Sequence, residues 1–186
     1  MFVMEQNKVH IEDFDFAVSE HLFKPGETYD DSKCGLRLTF IDRPNAAGTM
    51  QSRIAEVPQA NGKPNIQRLS LIIGDQAQVR MQFKDVNGRP ILAKDVKFQW
   101  ASHPDYSADN AKQDALDLEN KRTDFAGPIR MELRREGKAV AWSDYVAPTS
   151  TLSTVSLAGI ELDEILITTS ARGKVWFDNF NWKPAV

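Results

Sequence analysis

Cysteine is nearly absent from this 186-residue chain, where Cys34 stands alone. An intrachain disulfide is therefore impossible, and so is a metal site built from several thiolates. An excess of positive charge is missing too. Lys and Arg number 23 against 26 Asp and Glu, giving a formal net charge of −3 and a pI of about 5.6. A nucleic-acid binder needs a basic surface to displace counterions from phosphates, so that class is set aside. No apolar run approaches the roughly 20 residues that span a bilayer. The opening MFVMEQNKVHIEDF has no basic segment followed by an apolar stretch. No signal peptide is read there, and the chain as encoded is expected in the cytoplasm unless another route exports it.

Catalytic patterns are missing as well. There is no G-x-S-x-G, and no spacing relates His10, His21 and His103. Cys34 has no histidine poised beside it in sequence and reads as a small buried hydrophobe. The acidic stretch from Asp105 fails as an EF-hand loop, because its sixth position is Asn110 and its twelfth is Leu116. Two carboxylates can hydrolyse a glycosidic bond, but nothing singles out a pair. The chain is not read as an enzyme, with a β-sandwich hydrolase kept as a third reading.

What the sequence does have is period-2 alternation. Val79, Met81 and Phe83 share one face of QVRMQF; Val96, Phe98 and Trp100 share one face of VKFQW; Ile129, Met131 and Leu133 share another. Each pattern predicts a strand with one buried and one wet side. Leu36–Phe40, Leu69–Ile73, Ile165–Thr169 and Val175–Trp182 are further strands. Turn chemistry separates them: Asn87-Gly88 in DVNGRP, Gly137 in REGKA and Gly173 in SARGK. These three turns predict antiparallel hairpins. Residues 42–66, rich in Pro, Gly, Asn and Ala, read as a surface connection with one short strand. Residues 105–124 read as a loop carrying a short helix over Ala111–Arg122. Many short strands and few helices predict an all-β sandwich, one domain over 1–186.

The last strand poses a question. In KVWFDNFNW, alternation places Asp178 on the face of Phe180 and Trp182. If those aromatics face the core, so does the carboxylate, and a buried carboxylate needs a cation, backbone N–H groups or a basic side chain. The stretch resembles the closing strand of galactose-binding-like jelly rolls, the fold of many carbohydrate-binding modules. VHIEDFDF, residues 9–16, is similar to their first strand, which commonly lies beside the last. The resemblance implies an antiparallel jelly-roll β-sandwich. It also implies a structural calcium, a hard cation that takes roughly 6–8 oxygens, held by Asp178 with Asp13 and Asp15. Glu12, Asp30 and Asp31 are further candidates for that site. The opposing expectation is that Asp178 caps backbone amides with no metal.

Sugar sites stack pyranose rings on Trp or Tyr beside a few polar groups. Trp100 and Trp182 share faces with core residues, while the side taken by Trp176 is left open. Trp142, Tyr145 and Tyr106 are therefore the expected ligand-binding residues. The leading functional expectation is non-catalytic binding of a carbohydrate or cell-surface ligand. The alternative is a structural or interaction domain of a toxin, phage or secretion assembly that holds a protein partner.

Overall fold

The computed structural model describes residues 10–12, 21–31, 35–42, 52–55, 70–74, 77–85, 87–102, 109, 112, 116, 119, 129–145, 153–169 and 175–185. Thirteen strands run through them: β1 (His10–Glu12), β2 (His21–Leu22), β3 (Thr28–Asp31), β4 (Leu36–Asp42), β5 (Arg53–Ala55), β6 (Ser70–Ile73), β7 (Ala77–Phe83), β8 (Ala93–Ser102), β9 (Ile129–Arg135), β10 (Lys138–Tyr145), β11 (Ser153–Leu157), β12 (Glu164–Thr169) and β13 (Val175–Pro184). They form an all-β sandwich of two antiparallel sheets. One is six-stranded, in the order β10-β9-β12-β7-β4-β3. The other is seven-stranded, in the order β11-β8-β13-β6-β5-β2, with β1 also on β13.

β13 is central to the seven-stranded sheet. β8 lies along one side of it from Val175 to Pro184. On the other side, β6 pairs with Val175–Phe177 and β1 pairs with Phe180–Trp182. The first strand thus lies beside the last, with Glu12 opposite Phe180.

The alternating residues meet between the sheets. Val79, Met81 and Phe83 of β7 and Ile129 and Met131 of β9 are buried there with Val96 and Phe98 of β8. Aromatic pairs bridge the layers: Phe83 meets Trp182 edge-on at 5.1 Å, and Trp100 meets Tyr145 edge-on at 5.6 Å. A fully buried aromatic of this size removes about 150–250 Å² from water, roughly 4–6 kcal/mol of gross hydrophobic stabilisation each.

Two expectations from the turns are corrected. β9 and β10 form the hairpin that REGKA predicts, with Glu136 and Gly137 both at positive φ, 52° and 75°. β7 and β8, however, belong to different sheets, and so do β12 and β13. The Asn87-Gly88 turn closes a short arm only, bridging Lys84 to Pro90, after which the chain crosses over. From β6 onward, every connection except β9–β10 crosses between the sheets. A Gly turn dictates that the chain reverses; it does not dictate that the reversing strands pair. In 103–128 the described residues are Asp109, Lys112, Leu116 and Glu119, which have helical backbone and are exposed.

Candidate functional site

The face of Asp178 differs from the expectation. Val175 and Phe177 point into the core, and so do Phe180 and Trp182. Two residues therefore separate the inward pairs where strict alternation allows one. The extra residue is a β-bulge at Asn179, whose φ is 52° and across which the pairing with β8 shifts. The bulge returns Asp178 to the outer side of the sheet with Trp176. Both are still buried there, at 0% and 1% exposure. Asp178 Oδ1 accepts the Asn179 backbone N–H at 2.8 Å.

Asp13 and Asp15 lie outside the described residues. Asp30 is on β3 in the other sheet and is ion-paired with Arg37. Among the described residues no group of three His, Cys, Asp or Glu is placed to hold a metal ion. Asp178 suits a hard cation in being a carboxylate withdrawn from water beside the β1–β13 pair.

Of the three expected aromatics, Trp142 and Tyr145 are described, and they do not share a face. Tyr106 lies outside the described residues. Tyr145 stands opposite Ile129 and packs inward against Trp100. Trp142 stands opposite Glu132 and points outward, 63% exposed. Three strand positions separate the two residues, so they leave β10 from opposite faces.

Trp142 has a different set of neighbours, built by the β9–β10 hairpin. Ile129, Met131 and Leu133 turn into the core, which turns Arg130, Glu132 and Arg134 outward. The hairpin register sets Asp144 opposite Arg130. Arg130 Nε donates to Asp144 Oδ1 at 2.7 Å and an Nη donates to Oδ2 at 2.9 Å, a bidentate fork. These hydrogen bonds, ahead of the opposing effect of burial, raise the Arg130 pKa above its ordinary value. The guanidinium held in this way lies 4.8 Å from the centre of the Trp142 ring. Further along the sheet, Arg134 bridges Glu132 and Glu164, and Arg80 meets Glu164 at 3.4 Å. Partly exposed pairs of this kind contribute only about 0–1 kcal/mol each. Their effect is to fix side chains in place. The outer face of the six-stranded sheet is therefore an ordered lattice of charges, with an exposed indole at its β10 edge. Alternation finds such a site only once the hairpin register is known.

No protein-family model matches this chain, and no curated protein does. Among solved structures, it is similar to the M60 catalytic domain with the CBM51-1 and CBM51-2 domains from Clostridium perfringens ZmpB, at 6% identity and a TM-score of 0.36. It is also similar to the enzymatically active domain of tailspike protein 4 of bacteriophage CBA120, at 11% identity and a TM-score of 0.30. The matches cover 96% and 97% of this chain but 20% of each of those chains. At these scores the likeness carries no weight for function, and the site is read from its own geometry.

Proposed function

We propose that this chain is a non-catalytic binding module that takes a carbohydrate on the outer face of its six-stranded sheet. The observation that carries the reading is Trp142, exposed to solvent and seated on an Arg130 that Asp144 grips from the side. An indole held in one orientation offers a flat face to the C–H side of a pyranose at little entropic cost. Arg130, Glu132 and Asp144 border it and supply donors and acceptors for the hydroxyls. A structural calcium on Asp178, Asp13 and Asp15 belongs to the same proposal. Its support is the burial of Asp178 in the strand that pairs with β1.

The test is a screen of the whole chain against immobilised glycans, followed by tryptophan-fluorescence titration of the hits. Trp142→Ala is expected to weaken binding at least about tenfold, and Trp142→Phe to retain most of it. Binding that is equal in wild type and Trp142→Ala overturns the site.

One observation favours the second reading, a protein partner. Among the described residues β10 is the edge of its sheet, and it exposes Val140, at 50%, as well as Trp142. An edge strand presents unpaired backbone groups to an incoming strand. A strand-pairing partner is sensitive to Val140→Pro, which removes a backbone donor, whereas a sugar stacked on Trp142 is not.

A further inference from the structure

β13 and β8 carry two bulges that cancel. From Asp178 to Asn181, three steps on β13 match two on β8, from Gln99 to Lys97. From Asn181 to Lys183, two steps on β13 match three on β8, from Lys97 to Lys94. The register beyond the second bulge is the register before the first. Each bulge has a non-glycine residue in the left-handed region, Asn179 at φ 52° and Asp95 at φ 53°. Among the described residues the third such case is Glu136, which the β9–β10 turn explains. Left-handed backbone at a non-glycine residue is strained. Because the bulges leave the overall pairing unchanged, their result is local. They redirect side chains on the outer face.

Asn179 and Asp95 both line a groove of about 560 Å³ on that face, within the range of small-ligand sites. Its floor is a row of amides. Asn179 Nδ2 donates to Gln99 Oε1 at 2.8 Å, and Asn181 Nδ2 donates to the Asn179 carbonyl at 2.7 Å. Those bonds hold the row in place and leave amide donors and acceptors for a ligand. Thr154 and Ser156 of β11, both exposed, add hydroxyls along the far wall. Of the cations, Lys183 lies 3.5 Å from Asp95, while no ion pair among the described residues involves Lys97.

We propose that this groove is a second binding site and that its ligand is an acidic saccharide. Amides and hydroxyls read the ring hydroxyls, and the Lys97 ammonium pairs with a uronate carboxylate. The site lies on the opposite outer face from Trp142 and does not depend on that platform.

Calorimetric titration of the whole chain with a uronic-acid trisaccharide, and with a neutral trisaccharide of the same linkage, tests this. The uronate is expected to bind about tenfold more tightly than the neutral sugar at low salt, and to lose that preference in high salt. Asn181→Ala weakens both sugars, and the exposed Lys97→Met removes only the preference. A thermal melt of each variant reports whether it is folded. Binding that is unchanged in Asn181→Ala and in Gln99→Ala overturns the groove as the site. Equal affinity for uronate and neutral sugar overturns the acidic specificity. Absence of binding to any uronate tested overturns the proposal, and leaves the Trp142 reading to the glycan screen.

Discussion

Asp178 and Asn179 form one unit: the carboxylate Oδ1 accepts the backbone N–H of the next residue at 2.8 Å, and that next residue is the left-handed one. The Asp-Asn pair is thus a bulge that carries its own hydrogen bond. Asn tolerates positive φ better than most residues with a side chain, and Asp supplies a local acceptor.

That relationship separates backbone from side chain at Asn179. Gly accepts φ of 52° without penalty, and Ala does not. Asn179→Ala is expected to lower unfolding free energy by about 1–2 kcal/mol through the strained backbone and the lost bond to Gln99. Asn179→Gly is expected to cost less than Asn179→Ala, while losing groove binding in equal measure. Urea unfolding of the two variants beside the wild type checks the order.

Gly35 is expected to be the least replaceable glycine described. Its φ is 77°, and an added Cβ would press into the Lys84 carbonyl oxygen and lie 3.2 Å from Trp182 Cζ2. Its own carbonyl accepts the Lys84 N–H at 2.7 Å, so the two backbones cannot part without loss. Gly35→Ala is expected to cost at least about 3 kcal/mol, from strain together with overpacking. Gly137→Ala meets no atom within 4 Å and has positive φ alone against it, so about 1 kcal/mol is expected. Thermal melts of both variants test the difference.

Asp85 makes acid stability depend on one turn. Its Oδ1 accepts the N–H groups of Arg89 at 2.9 Å and Asn87 at 2.8 Å. The backbone N–H of Arg89 first, then that of Asn87, holds its carboxyl below the ordinary value of 3.8. A carboxyl depressed on folding adds stability above its unfolded pKa and loses it as pH falls through the folded one. Asp85→Ala is therefore expected to melt below wild type at pH 7. The gap narrows as pH falls below 3.8 and closes once pH has passed the lower folded value, where the wild-type carboxyl is protonated as well. Melting curves across that window decide it.

A structural calcium on Asp178, Asp13 and Asp15 predicts a raised melting midpoint, by several degrees, in millimolar calcium after chelation, with magnesium as control. Asp178→Asn is expected to abolish the response. A midpoint unmoved by calcium removes the ion and leaves Asp178 to protein groups alone.

Much of the sandwich is legible along the chain. The alternation in QVRMQF and VKFQW names the inward residues, because strand side chains alternate faces and only one face of each of these strands is buried. The β9–β10 turn is legible because Gly137 stands between two strand patterns; that Glu136 also takes positive φ shows only in the structure. The place of His10–Glu12 beside the last strand was legible from resemblance. A shared site for Trp142 and Tyr145 does not form, since they are three positions apart on one strand and leave it from opposite faces. The groove was invisible, because its two bulges cancel only in the pairing of β8 with β13, strands far apart in the chain.

The sequence by itself determined the strands with clear alternation, which of their side chains are apolar enough to face inward, and where Gly turns the chain back; β2, β3 and β11 were not among them. These are local properties, set by side-chain chemistry and by the φ that Gly and Asn permit. Only the tertiary structure decided which sheet each strand joins, since a reversal within one sheet and a reversal between two look alike in residues. It also decided that Asp178 faces outward, because one extra residue at Asn179, paired against a distant β8, inverts the parity of everything before it.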